Sequence, residues 1–137
     1  YYLNLGDDFY QKLIDMLVFD AIILNEDRHF GNFGVLIDSH TNEIIAPAPI
    51  FDNGLSLLCY AMDDDFKNIN EYIKTRQPAS YQDFISYVKP LMNNRQREKV
   101  RKLLDFHFQS SFKYKLNRKR LKQLEFIIQE RSKALLE

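Results

Sequence analysis

The amino-acid sequence predicts a mainly α-helical domain of the α+β class that carries one small β-hairpin. Apolar residues recur at intervals of three and four in residues 8–24 and again in residues 80–135, which is the period of helices with one buried face. Between these regions lie two short runs of strand-forming residues, joined by the turn-forming segment 38–42. Helices should therefore form most of the core.

Chain length and cysteine content limit the classes of protein to which the sequence can belong. The 137 residues fit a single domain, 1–137, that is large enough to bury a core without disulfides. The single cysteine, Cys59, excludes an internal disulfide and a cysteine-based zinc cluster, and it fits a reducing cytosol. No apolar run approaches a membrane span and no secretory leader is visible, so we expect a cytoplasmic protein with no membrane partner.

The first predicted helix runs from residue 8 to about 24 and follows an irregular lead-in, with a turn and N-cap at residues 6–8. Its C-terminus should deliver residues 25–32 as a loop held by a rigid element. Asp20 is unusual inside so apolar a helix. Three interpretations stay open for it: an ion pair with Arg28, a cap for the loop, and a solvent-facing position.

The predicted hairpin pairs residues 33–37 with residues 43–46. Its return strand leads through two prolines to Asp52 and should bring that carboxylate back beside the loop that holds Asn32. Gly54 allows a backbone turn just after Asp52.

The pattern is weak from residue 55 to 77, where only a short helix over 66–75 is expected. Asp63–Asp65 could be read as a second metal site. Adjacent side chains on an extended or helical backbone point in different directions, however, so a solvated or N-capping role is the expectation.

The last third of the chain should be helical. Ser80-x-x-Asp83 resembles a capping box that opens a helix to about residue 92, where two asparagines interrupt it. A further helix is predicted over 95–108, and Asn117 should cap the last one. The apolar stripe of the last helix predicts packing against the earlier helices, with a two-stranded coiled coil as the alternative; it consists of Leu121, Leu124, Ile128 and Leu135.

Most of the interpretable chemistry is concentrated in residues 25–56. Asp27 and Asn32 stand five apart, and Asp52 follows after a short apolar and turn-rich stretch. This set suits phosphoryl transfer, with one carboxylate to orient a hydroxyl and an amide and a second carboxylate to hold Mg²⁺. The pattern therefore indicates a phosphoryl-transfer site.

These residues carry a resemblance to kinases. Asp27-x4-Asn32 has the spacing of the protein-kinase catalytic loop, and Phe51-Asp52-Asn53-Gly54 resembles D-F-G with the glycine one residue late. The stretch 19–34 is similar to the C-terminal lobe of HipA-like serine/threonine kinases, which carry N-x-D-x-H-x-x-N-F and a downstream A-P-x-x-D. Residues 27–32 are also similar to the D-R-H-x-x-N loop of phosphoinositide lipid kinases. The matching region spans about residues 19–58.

The resemblance implies a role for each matching residue. Asp27 would be the catalytic base or hydroxyl-positioning residue, and Asn32 and Asp52 would bind Mg²⁺. His29 would lie near the transferred phosphate, where a protonated imidazole supplies positive charge. ATP would be the phosphate donor and a protein Ser or Thr hydroxyl the acceptor, while residues that bind the nucleotide itself remain unassigned.

The expected fold is accordingly a helical kinase-like C-lobe whose hairpin carries the metal-binding aspartate. Neither a glycine-rich loop nor a strand lysine of the V-A-I-K type is present in the 137 residues, so an N-lobe is expected as the partner of this lobe and the isolated chain should be inactive. Membership of the HipA-like family would imply a bacterial toxin–antitoxin setting and an antitoxin-type partner.

Two alternatives stay open. The lobe could belong to a lipid or small-molecule kinase, or it could be a non-catalytic relic that binds a protein or nucleic acid through its basic helices. Residues 1–71 carry thirteen acidic and three basic side chains, whereas residues 95–122 carry eleven basic and two acidic ones. Such asymmetry can mark a nucleic-acid or acidic-partner surface, although a solvated helix face is the simpler interpretation.

Overall fold

The computed structural model describes residues 2–109 and 116–137. Within them the fold is α+β, as predicted, with helices around one two-stranded antiparallel sheet. The α-helices and strands are α1 (Asp7–Ile23), β1 (Val35–Ile37), β2 (Ile44–Pro47), α2 (Ile69–Lys74), α3 (Phe84–Val88), α4 (Asn94–Arg101) and α5 (Arg118–Leu136). Two of the lysines counted above, Lys113 and Lys115, lie outside the described residues.

Helix α1 agrees with its prediction to within one residue at each end, and it forms the centre of the core. Its buried apolar residues recur with the helical period, and α1 packs against both α3 and α5. Gly6 is the N-cap with φ 118°, a value that glycine adopts without steric cost. The segment before it is a short 3₁₀ helix, Tyr2–Leu5, and not the irregular lead-in that was expected.

Helix α5 covers the same core from the C-terminal end. Asn117 caps it as predicted, because its side-chain oxygen accepts from the Lys119 N–H at 2.8 Å. Leu124, Ile128 and Leu135 are buried against the rest of the chain, as is Ile127. Since α5 contacts α1, α3 and α4, its apolar stripe is intramolecular core, which was the favoured prediction over a coiled coil.

The predicted capping box at Ser80 is wrong. Asp83 is the N-cap of α3, and its carboxylate accepts from the N–H groups of Ile85 and Ser86. The Ser80 hydroxyl instead donates to the Arg28 carbonyl oxygen at 2.6 Å. Helix α3 also ends early, and Lys89–Leu91 is 3₁₀, because Pro90 has no N–H with which to continue the α-helix.

The predicted helix over 95–108 is likewise too long, since α4 ends at Arg101. Side chains of α5 bind the backbone beyond it: Gln129 donates to the Phe106 carbonyl at 2.9 Å, and Glu125 accepts from the Phe108 N–H at 2.9 Å. These backbone groups are therefore satisfied by α5 and not by a helical ladder. At its start, α4 has a full capping box formed by Asn93 and Gln96.

The hairpin is present as predicted, with each strand shifted by one or two residues. Leu36 lies opposite Ala46 and Val35 opposite Pro47, and the Ala48 N–H extends the connection by donating to the Gly34 carbonyl at 2.9 Å. Pro47 is tolerated because it occupies the end of a strand in a sheet with two open edges. The chain thus returns from β2 toward the loop that precedes β1.

The weakly patterned segment forms the 3₁₀ turn Asp65–Asn68 and then α2, close to the short helix expected over 66–75. Asp65 accepts from the Met62 N–H at 2.8 Å, while Asp64 pairs with Lys67 at the surface. Over the described part of the chain, none of the helices combines the length and apolarity needed to cross a membrane.

Candidate functional site

The candidate site is built on the C-terminal end of α1. Leu24 ends the helix in the left-handed conformation with φ 53°, and the Asn25 N–H returns to the Asp20 carbonyl at 3.0 Å. Asn25 is fully buried, and its side chain bridges the helix and the loop. Its amide nitrogen donates to the Asp20 carboxylate at 2.9 Å, and its oxygen accepts from the Asp27 N–H at 3.3 Å. Residues 25–27 are therefore fixed to the helix end.

Asp20 pairs with Arg28, one of the three interpretations left open by the sequence. Nε of Arg28 donates to one carboxylate oxygen at 2.8 Å, and Nη2 donates to the other at 2.9 Å. The Asp20 side chain is 0% exposed and the Arg28 side chain is 3% exposed. Such two-point geometry gives a buried pair both charge compensation and a fixed orientation.

Arg28 also joins the two segments that carry the predicted metal ligands. Nη1 donates to the Asn32 carbonyl at 2.6 Å and to the Phe51 carbonyl at 2.7 Å. Because both oxygens bond to the same nitrogen, the distance between them cannot exceed the sum of these two hydrogen-bond lengths. Residues nineteen positions apart in the chain are thus neighbours at one guanidinium nitrogen, as the hairpin prediction required.

Asn32 lies against Asp27 within the loop. Its side-chain nitrogen donates to the Asp27 carbonyl oxygen at 2.7 Å, and Asn32 is 3% exposed. An amide whose NH₂ group is held by a carbonyl must turn its own oxygen another way. The bond therefore fixes the direction of Oδ1, the atom that would bind a metal.

Asp52 is exposed, and Arg28 bonds to both of its neighbours in the chain. Arg28 contacts the Phe51 carbonyl before it, and Nη2 of Arg28 donates to the Asn53 side-chain oxygen at 2.6 Å after it. Asp52 itself adopts φ 53°, a left-handed conformation that aspartate and asparagine adopt more readily than most residues other than glycine. The fold thus imposes the backbone geometry at this residue.

The carboxylates of Asp27 and Asp52 have no hydrogen-bond or ion-pair partner within residues 2–109 and 116–137. In the same ranges, no group of three or more His, Cys, Asp or Glu side chains is placed to hold a metal ion. The predicted metal ligands are the Asp52 carboxylate and the Asn32 amide oxygen, both of them hard donors of the kind Mg²⁺ takes while keeping several other ligands. The chemistry of the donor set therefore fits Mg²⁺.

His29 is exposed and has a local partner. Its Nδ1 accepts from the Gly31 N–H at 3.0 Å, so the neutral ring carries its proton on Nε2. A Cβ added to Gly31 would lie 2.9 Å from the His29 ring, so a side chain at residue 31 would displace the exposed imidazole from its present position. The outward Nε2–H is the group that His29 offers to a phosphate.

A pocket of about 170 Å³ adjoins the loop. Its lining is largely aromatic and apolar and includes Phe30, which is 89% exposed, together with Tyr81 and Tyr87, whose rings stack at 4.8 Å. Burial, followed by the charge of Asp20, raises the pKa of Tyr81 well above its usual value. The tyrosine is therefore neutral at physiological pH.

Sequence reasoning did not foresee the full role of Arg28, nor any role for Asn25 and Asn53. One signal pointed toward Arg28: an aspartate in an apolar helix needs a partner, and Arg28 is the nearest cation that follows it in the chain. The contacts with Phe51 and Asn53 had no such signal, because they depend on how the hairpin returns.

Comparison of the chain with family models, curated proteins and solved structures found no significant match.

Proposed function

We propose that this chain is the C-terminal lobe of a HipA-like kinase that transfers the γ-phosphate of ATP to a protein Ser or Thr hydroxyl. The observation that carries the proposal is the shared contact at Arg28, whose Nη1 binds the carbonyls of both Asn32 and Phe51. This contact supports a site in which the Asn32 amide and the Asp52 carboxylate act together.

Each residue has a distinct task in the proposed site. The Asn32 amide oxygen and the Asp52 carboxylate would hold Mg²⁺, which neutralises charge on the phosphates of ATP when it is bound. Asp27 would accept the hydrogen bond of the attacking hydroxyl and hold it in line. His29 would present Nε2–H to the non-bridging phosphate oxygens, because its Nδ1 accepts from the Gly31 N–H.

Two features favour Asp27 as the hydroxyl-positioning group over a metal ligand. It is half-buried on a loop fixed by Asn25 and Asn32 at its own N–H and carbonyl, so its position is well defined. Its carboxylate has no partner in the described residues and remains available to a substrate. ATP would in addition need a covering N-lobe, and the purified 137-residue chain should therefore show no appreciable transfer from ATP.

The test is phosphoryl transfer by the intact protein, meaning this lobe together with its expected N-lobe, in the presence of Mg²⁺ and ATP. Wild type is compared with Asp27→Asn and Asp52→Asn, which keep side-chain shape and, at residue 52, tolerance of positive φ. Each should reduce transfer by roughly 100-fold or more, since each removes a charge used in the transition state. Asp63→Ala, an exposed carboxylate outside the loop, should leave transfer unchanged.

The same assay identifies the kind of molecule that accepts the phosphate. Label appearing on Ser or Thr of protein supports the proposal, whereas label on phosphatidylinositol vesicles alone would replace it with the lipid-kinase alternative. A folded wild-type protein that neither binds Mg-ATP nor transfers phosphate would overturn the kinase assignment and favour a non-catalytic binding module.

A further inference from the structure

We infer that Arg28, oriented by Asp20, is a positioning residue that sets the distance between the two metal-binding side chains. The inference rests on the proposed function and adds to it a determinant of metal affinity that touches neither metal nor substrate. Hereafter the buried Asp20–Arg28 pair is called the clasp.

The clasp uses the whole donor capacity of one guanidinium. Arg28 has five N–H groups, and five acceptors are within hydrogen-bond distance: both Asp20 carboxylate oxygens, the Asn32 and Phe51 carbonyls, and the Asn53 side-chain oxygen. A lysine ammonium has only three donors on one atom and cannot span these acceptors. The arrangement therefore requires arginine.

Three of the five contacts concern the proposed site directly. One holds the backbone of Asn32, and the other two hold the residues immediately before and after Asp52, namely Phe51 and Asn53. A guanidinium that served only to neutralise Asp20 would not need all three. Their distribution across the two ligand segments points to control of the gap between the segments.

Asp20 contributes electrostatically as well. A buried guanidinium without a counter-ion would repel a divalent cation held at neighbouring residues. With Asp20 0% exposed and bonded at both oxygens, the clasp is neutral as a pair, and the negative charges of Asp27 and Asp52 remain uncompensated. The clasp thus orders the site without lowering its attraction for cations.

The experiment uses the 137-residue chain and Mn²⁺ alone, with paramagnetic broadening of NMR signals at residues 27, 32 and 52 as the readout. Arg28→Lys keeps the positive charge and loses the fork, and it should weaken Mn²⁺ binding about tenfold or more, as outer-shell substitutions at metal sites do. Asn53→Ala removes one contact and leaves the ion pair, so a smaller loss than that of Arg28→Lys is expected. Folded fraction is measured for every variant under the same conditions.

The matched control is Arg120→Lys. Arg120 also joins two backbone carbonyls, those of Leu58 and Ala61 at 3.1 Å each, and it stacks on Phe66, but it touches neither ligand segment. It should change Mn²⁺ affinity by less than about twofold.

Three results would decide the matter. If the Arg28→Lys variant folds and binds Mn²⁺ as tightly as wild type, the proposed positioning role of the clasp is overturned. The proposed metal site itself would stand. If Arg28→Lys does not fold, unchanged Mn²⁺ binding by Asn53→Ala would overturn the positioning role. If the wild-type chain does not bind Mn²⁺, or binds it equally well after Asp52→Asn, the proposed metal site is overturned. The proposed role of the clasp is then overturned with it.

Discussion

The loop region around Arg28 and the helical region of α3, α4 and α5 are held together by different forces. In the loop region, Asp20, Asn25, Arg28 and Asn32 are all buried, and every one of them is hydrogen-bonded. In the helical region the buried side chains are mostly apolar, and most charges lie outside. Apolar contact is non-directional, whereas a hydrogen-bonded ion pair fixes distances and angles.

This difference between directional and non-directional contacts indicates which region can hold a reacting group in a fixed position. Directional bonds can keep a loop in one conformation, such as the left-handed backbone of Asp52 with φ 53°. The cost is vulnerability, because a buried charge that loses its partner is far more destabilising than a lost surface contact. The two regions should therefore respond differently to substitution, and four measurements test this.

The largest effect is expected for Asp20→Ala. It leaves the Arg28 guanidinium buried without a counter-ion and should lower the free energy of unfolding by about 3–5 kcal/mol, measured by urea denaturation at neutral pH. Asp15→Ala is the control, since Asp15 pairs with Arg95 and Lys99 nearer the surface and should cost about 1 kcal/mol or less. Equal losses for the two variants would show that the loop region has no special dependence on its buried pair.

Ile127→Ala tests the apolar side of the comparison. Ile127 is 0% exposed in α5, and its truncation should lower the free energy of unfolding by roughly 3 kcal/mol through lost burial and a residual cavity. The same urea titration of Phe126→Ala, at a neighbouring position that is 39% exposed, should show a distinctly smaller loss. The reverse order would contradict the assignment of Ile127 to the core.

Asn93→Ala tests a directional contact inside the helical region. It removes the capping box of α4 and should cost about 1 kcal/mol, seen as a lower midpoint in thermal unfolding. Asn94→Ala changes the next residue, whose side chain takes no part in the capping box, and should shift the midpoint little. A large effect of Asn94→Ala would mean that α4 begins elsewhere.

The smallest effect concerns pH. Burial raises the pKa of Asp83, but N–H donors of Ser86 and Ile85 outweigh it and lower the pKa below its usual value. A carboxylate with a lowered folded-state pKa stabilises above its unfolded pKa, near 3.8, and this stabilisation is lost as pH falls through the folded value.

Asp83→Asn keeps a good N-cap and does not titrate. The stability of wild type relative to Asp83→Asn should therefore decrease between pH 6 and pH 3, measured by urea denaturation at both values. A stability difference that stays constant or grows on acidification would exclude this role for the Asp83 charge.

Several features of this protein follow from local sequence alone. The limits of α1 and the start of α5 were predictable because helical periodicity and capping residues such as Asn117 act within a few positions. The hairpin was predictable for the same reason, through its turn residues. The spacing of Asp27 and Asn32 also sufficed to place both in one loop, where their direct contact is found.

Other features depend on partners far away in the chain. Ser80 looked like a cap because Asp83 follows it, but its hydroxyl reaches Arg28 across 52 positions. The end of α4 is decided by Gln129 and Glu125 of α5, and the full set of Arg28 contacts by the return of the hairpin. A polar side chain has many equally good partners in the unfolded chain, and only the packed core determines which of them it meets.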